Sequence, residues 1–387
     1  MKKKFSFSTL NYTFLIAEAG TSHGGDRKKA EELVLAAAEA GADCIKFQIV
    51  YADEIIHPKT GMVPLPGGDI PLYERFRSFE QPPEFYTALK GVAENAGIRF
   101  LCTPFGIRSA RILKNIGADM LKIASPELNH IPLLQEISTY GLPIILSTGV
   151  SLLGDIDEAI RLLHSGAAAV PSTDSGHPDS LRKTPETALL HCITAYPAPE
   201  EEYNLRLIPN LASIFGVPTG VSDHSTDPIL VPALSAALGA KFIEKHFCLD
   251  PSGDGLDDPI ALSPHNFGKM VRVVRRVEKL LKERNSTAFD ELQQEYGEQR
   301  VQSVLGDGRK RLSPAERDNY GRSNRSIHAV SDLPAGTFLT AENIAVLRTE
   351  KELLPGIHPR YYTLLLRKQI RRTVEAGQGI CWKDILS

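Results

Sequence analysis

A (β/α)8 barrel followed by a small C-terminal domain is the fold class this 387-residue sequence predicts. Three observations predict it. Short apolar runs alternate with stretches of helical periodicity through the first 285 or so residues, the pattern of parallel strands joined by crossover helices. The run–helix unit occurs eight times, the number that closes a barrel. After a polar stretch the pattern changes, near residue 321, to short alternating runs separated by turns.

In chain order the strands are expected at 14–17, 44–47, 99–102, 120–123, 143–146, 188–192, 218–221 and 242–246. Helices are expected at 27–40, 83–96, 108–116, 131–140, 153–164, 205–215, 228–238 and 264–284. Gly41, Gly97, Gly117, Gly141, Gly216 and Gly239 each sit just before the next strand, where a helix C-cap needs a residue at positive φ. Two stretches break the rhythm. Residues 49–80, rich in Pro and Gly, follow the second strand and so lie on the catalytic face, as a lid or substrate wall. Residues 165–186 follow the fifth helix and read as a surface excursion on the opposite face. The barrel is thus assigned to 1–285, a polar linker to 286–320 and the second domain to 321–387, which is small enough to need packing on something else.

Composition narrows the function. Lys and Arg total 44 against 47 Asp and Glu, a net charge of −3, which leaves no strongly basic surface for nucleic acid and favours a small-molecule partner. The five cysteines are scattered and never spaced as CxxC, which disfavours a disulfide framework or thiolate zinc site and fits a reducing cytoplasm. The basic start at Lys2, Lys3 and Lys4 has no apolar core behind it, and no apolar run approaches a membrane span.

The polar residues at the strand ends carry the chemistry, because in a barrel they converge on one rim. Glu18, Lys46, Gln48, Thr103, Lys122, Ser125, Glu127, Ser147, Tyr196, Ser222, His224 and His246 all fall there. Two barrel lysines need a counter-charge: either a bound anion, with Thr103, Ser125, Ser147 and Ser222 adding directed hydroxyls, or a barrel carboxylate such as Glu18 or Glu127. No GxxxxGK[ST] motif is present, so a P-loop is excluded. His224 and His246 end the last two strands, where a pair of imidazoles can hold one divalent ion and leave positions open; the donor set leaves the metal's identity open.

In order along nearly the whole chain, EAGTSHGG from Glu18, KFQ from Lys46, CTPF from Cys102, KIASPE from Lys122, STG from Ser147, SDHS from Ser222 and EKHF from Glu244 resemble the sialic acid synthase family. NRSI from Asn324, DLPAGT from Asp332 and ENI from Glu342 resemble that family's C-terminal antifreeze-like (SAF) domain. AVLR from Ala345 and GIHPR from Gly356 are most similar to its spore coat polysaccharide branch. The resemblance implies condensation of phosphoenolpyruvate with the open-chain aldehyde of an N-acylated amino sugar. Carried over, Lys46, Thr103, Lys122, Ser125, Ser147 and Ser222 would hold phosphoenolpyruvate, and His224 and His246 a divalent ion, Mn²⁺ or Mg²⁺. Gln48, Tyr196 and Asp257 would hold the sugar, which Arg325 would reach across a domain-exchanged homodimer, while Glu18 and Glu127 would handle the water or proton. Ser22 stands where the family often has Asn, Thr194 where synthases for N-acetylmannosamine carry Asn, and GLDD from Gly255 replaces GPD, changes that touch sugar recognition. Other readings are a synthase for another aldose or a phosphosugar, a Schiff-base aldolase using one of the lysines, and a sugar- or ice-binding module.

Overall fold

The computed structural model describes residues 5–63, 69–165, 184–253, 255–283 and 287–385. Eight parallel strands form one sheet: β1 (Phe14–Gly20), β2 (Cys44–Ile49), β3 (Arg99–Pro104), β4 (Leu121–Ile123), β5 (Ile144–Ser147), β6 (Thr187–Cys192), β7 (Thr219–Asp223) and β8 (Phe242–His246). Their order, β3-β2-β1-β8-β7-β6-β5-β4, brings the two ends of the sheet side by side and nearly closes the barrel. The outer helices include α1 (Arg27–Glu39), α2 (Pro83–Asn95), α3 (Ile107–Asn115), α4 (Ile131–Ser138), α5 (Leu153–Ser165), α6 (Leu207–Phe215), α7 (Leu230–Ala237) and α8 (Pro264–Lys282). The six glycines before the strands all take positive φ, between 64° and 89°.

Period-two alternation divides each strand between two environments. Leu15, Ala17, Ile45, Phe47, Leu121, Ile123, Val221 and Ile243 pack outward into the helix layer. Phe14, Ile16, Cys44, Leu101, Met120, Ile145, Ala188, Leu190 and Phe242 form a separate apolar interior, closed from below by Phe7 with Phe5, Leu10 and Tyr12. The inward positions one step further along are polar: Glu18, Lys46, Thr103, Lys122, Ser147, Ser222 and Glu244. The interior therefore changes from hydrocarbon to charge toward the strand ends, where barrel active sites lie.

The segment expected as a polar linker is more ordered than that. It holds α9 (Thr287–Tyr296) and α10 (Glu298–Leu305), whose Ala288, Leu292, Val301, Val304 and Leu305 are buried in the barrel's helix layer. Their sparse apolar residues recur at helical spacing, which the surrounding polarity hides. Beyond them, Lys310 donates to the Thr148 carbonyl, and the fully buried Glu316 accepts from the Val150 and Thr194 amides.

The C-terminal domain holds a short antiparallel ladder of β9 (Arg325–Ala329) and β10 (Ile344–Arg348) over a core of Ile327, Leu339, Val346, Ile357, Leu365 and Ile380. It sits on the barrel's active face. The loop after β2, expected as a lid or wall, is one of its docking points: Ile56 bridges Arg348, and Thr60 Oγ1 donates to the Thr349 carbonyl at 3.0 Å. Most of the 165–186 excursion lies outside the described residues. Among the described residues no helix is long and apolar enough to cross a membrane.

Candidate active site

Sixteen residues line one cavity at the strand ends, and twelve of the fourteen residues singled out from sequence are among them. These are Glu18, Lys46, Gln48, Thr103, Lys122, Ser125, Ser147, Tyr196, Ser222, His224, His246 and Asp257. Glu127 and Arg325 are not.

At its centre lies a carboxylate that sequence reasoning did not assign a role. Glu244 Oε1 accepts from Lys46 Nζ at 2.8 Å and Ser222 Oγ at 3.0 Å, and stands 3.9 Å from Lys122 Nζ. Burial alone would push Glu244 up, but Lys122 and Lys46 outweigh it and hold the carboxyl near 2. Lys46 also approaches Glu18 Oε2 at 3.4 Å. The expected choice between a protein carboxylate and a bound anion thus resolves partly toward the carboxylate, and Lys46 is held above the usual lysine range by Glu18 and Glu244 against its burial.

The carboxylates of the cavity are not all fully ionised. Burial pushes Glu18 up to about 7, with Glu244 adding to the rise and Lys46 opposing it, so near neutrality this carboxyl is only partly ionised. Lys122 is lowered to about 8, by burial first, and donates to Ser147 Oγ at 2.6 Å and the Ile123 carbonyl at 3.2 Å. Close to the two lysines stands one firmly ionised glutamate, while Glu18 is partly protonated and burial raises Asp257 at the other end of the cavity. Thr103 Oγ1 and the Oε2 atoms of Glu18 and Glu244 are buried without a hydrogen-bond partner in the protein. Buried polar atoms are normally satisfied, so this constellation is built to receive a polar guest, to which the Thr103 hydroxyl can donate and from which the two carboxylate oxygens can accept.

The other end of the cavity is aromatic and imidazole-rich. His224 and His246 lie with ring centroids 5.3 Å apart, and Tyr196, half exposed, stacks on His224 at 4.3 Å. His224 Nδ1 donates to the Ile193 carbonyl at 2.8 Å, which turns Nε2 toward the cavity. Burial lowers both histidines, and for His246 the neighbouring His224 adds to it, so both are neutral and can act as ligands. Among the described residues no group of three or more His, Cys, Asp or Glu side chains is placed to hold a metal ion. Two neutral imidazoles with Asp257 Oδ2 3.8 Å from His246 Nδ1 fit an open site completed by water or substrate, and do not fit a closed structural one.

Gly20 makes the sugar end possible: at φ +51° its missing Cβ would stand 3.3 Å from Gln48 Nε2, 3.4 Å from Glu18 Oε1 and 3.7 Å from Asp257 Oδ2. Gln48 Nε2 donates to Glu18 Oε1 at 2.7 Å. The two departures at this end form a pair, since Ser22 Oγ donates to Asp258 Oδ1 at 2.5 Å and Asp258 Oδ2 accepts from the Gly255 amide, fixing the turn that carries Asp257.

Glu127 and Arg325 meet beside the cavity, outside its lining. Glu127 is fully buried, and its Oε1 accepts from Arg325 (3.0 and 3.2 Å) and Arg348 (2.7 and 2.9 Å), so it ties the second domain to the barrel and lies outside the cavity lining. Arg325, expected at the sugar, is buried with its guanidinium bound to groups of its own chain. Both sit at a strand or loop end facing the rim, so no local pattern separates them from the cavity residues.

The NeuB family's profile matches residues 33–286, and that of the SAF domain residues 324–386. The chain is 34% identical over 376 residues to the spore coat polysaccharide biosynthesis protein SpsE of Bacillus subtilis, covering 96% of this chain and 93% of that one. It is 32% identical over 376 residues to the N,N'-diacetyllegionaminic acid synthase of Legionella pneumophila, covering 96% and 94%. The crystal structure of B. subtilis SpsE superposes with a TM-score of 0.80 at 32% identity, over 99% of both chains.

Proposed function

The chain belongs to the NeuB family, and from that premise we propose that it condenses phosphoenolpyruvate with an N-acylated amino sugar and water to give a nonulosonic acid and phosphate. The observation that carries this reading is the buried pair Lys46 and Lys122 beside one firmly ionised carboxylate, Glu244, with the Thr103 hydroxyl left unpartnered. A small dianion can be held there by the lysines and the hydroxyls together.

In the reaction C3 of phosphoenolpyruvate bonds to the aldehyde carbon, whose oxygen gains a proton. C2, left electron-poor, takes the oxygen of water and then releases phosphate as its C–O bond breaks. Lys46 and Lys122 hold the carboxylate and phosphate of the substrate and cover the charge that develops. Thr103, Ser125, Ser147 and Ser222 orient those groups through their hydroxyls. Glu18, ionised for part of the time near neutrality and held by Gln48, takes the proton that water loses. Gln48, Tyr196 and Asp257 face the sugar. His224 and His246 would hold a divalent ion, Mn²⁺ or Mg²⁺, which when bound supplies Lewis-acid polarisation of the aldehyde.

A Schiff-base aldolase is the second reading, because burial lowers Lys122 to about 8, as a nucleophilic amine requires. One assay separates them: phosphate release from phosphoenolpyruvate with a panel of N-acylated amino sugars, with and without Mn²⁺. Sugar-dependent, stoichiometric release supports condensation. Borohydride trapping of a pyruvate adduct on Lys122, with no phosphate released, would replace it by the aldolase.

A further inference from the structure

We propose that Arg325 is a positioning residue that staples three active-face loops together, so that the anion site is ordered only while this guanidinium is in place. The inference draws on the proposed condensation only for its kinetic readout.

Arg325 Nη1 donates to the carbonyls of Glu54 (2.6 Å), Ile55 (3.2 Å) and Val346 (3.2 Å). Nη2 donates to the Phe105 carbonyl at 2.8 Å and, with Nε, to Glu127 Oε1. Glu54 and Ile55 lie in the loop after β2, Phe105 in the loop after β3, and Glu127 in the turn after β4. Each loop continues from a cavity residue: Gln48 on β2, Thr103 on β3, and Ser125 in the same turn as Glu127.

Six contacts occupy the five N–H donors of a guanidinium, so none is left for a substrate hydroxyl. The base of the side chain is fixed as well, since Asn129 Oδ1 accepts from the Arg325 amide at 3.0 Å and Asn129 Nδ2 donates to its carbonyl at 2.9 Å. Removing the guanidinium leaves the Glu54 and Phe105 carbonyls and the Glu127 carboxylate short of a buried donor, and the loops must open to reach water. Lysine cannot replace it: a single ammonium has three donors at one point and no planar fork to reach acceptors on opposite sides.

The test uses the full chain carrying Arg325→Ala or Arg325→Lys, the latter keeping a cation near Glu127 if the alanine variant folds poorly. Hydrogen exchange is followed at the amides of Ile56, Gly106 and Leu128, which are hydrogen-bonded within the three loops to Ala52 O, Ser109 Oγ and Ser125 O. In substrate-free protein all three are expected to lose protection together, by about tenfold or more, while the barrel strands keep theirs. The KM for phosphoenolpyruvate is expected to rise by about tenfold, at least as much as that for N-acetylmannosamine used as the probe sugar. Arg348→Ala, which removes two hydrogen bonds to Glu127 and weaker contacts with Glu350 and the Phe105 ring, should loosen Leu128 most and Ile56 least. Unchanged protection of the three loops would overturn the proposal, and with a rise confined to the sugar KM it would assign Arg325 to the sugar instead. Exchange reads the staple even if no aldose turns over, so failure of the condensation reading is seen separately.

Discussion

Two places in this molecule bury one carboxylate between two cations, and they do opposite things. In the clamp, Glu127 meets Arg325 and Arg348, and Arg325 has every donor engaged by protein. In the cavity, Glu244 meets Lys46 and Lys122, yet Thr103 Oγ1 and one oxygen each of Glu18 and Glu244 have no hydrogen-bond partner in the protein. Both are buried and charged. Glu127 Oε2, like Glu244 Oε2, has no hydrogen-bond partner, so what separates the structural cluster from the cavity is the donor capacity left over: none on Arg325, and the Thr103 hydroxyl in the cavity.

The contrast can be broken from either side. The largest effect on folding is expected at the clamp, where Glu127→Ala strands two guanidinium groups and should cost about 3–5 kcal/mol in urea unfolding. A loss no greater than that of an exposed pair such as Arg27–Glu31 would show that the clamp is not structural. On the cavity side, Lys46→Met should lower kcat/KM for phosphoenolpyruvate by about 10²–10³, with little change in the unfolding midpoint because Lys122 still neutralises Glu244.

A subtler effect appears in pH dependence. Glu18 sits near 7 in the fold against 4.5 for an ordinary glutamate, chiefly through burial, so the folded chain keeps a proton that the unfolded chain releases. Its contribution to stability is therefore complete below about 4.5 and lost as the pH rises through about 7. Glu18→Gln should flatten the fall in stability across that window and also remove the limb near pH 7 from the rate profile. A stability curve identical to wild type would place the titration elsewhere. The smallest effect is expected for Arg348→Ala: this partly exposed arm leaves Glu127 still paired with Arg325, so about 1 kcal/mol should be lost, read by the same urea titration.

The barrel and most of its cavity were legible because both follow from local pattern. Alternation along β2 places Lys46 and Gln48 inward and Ile45 and Phe47 outward, and the same parity on every strand collects the polar residues at one rim. What sequence concealed depends on long-range pairing. Lys46 and Glu244 are 198 positions apart, as are Arg325 and Glu127, so nothing local shows that the first pair lines a cavity while the second locks two domains. Glu127 lies two residues beyond Ser125 in the same turn, yet points away from the site that Ser125 lines. The helices over 287–305 were hidden by a polar surface that masks a few well-spaced apolar contacts.

The central claim is that the unfilled capacity around Lys46 and Lys122 is a site for phosphoenolpyruvate, and calorimetric titration of the ligand into wild type, Lys122→Met and Arg348→Ala tests it most directly. One site per chain is expected, weakened about a hundredfold or more by Lys122→Met and far less by Arg348→Ala. Equal affinity in wild type and Lys122→Met would contradict the account.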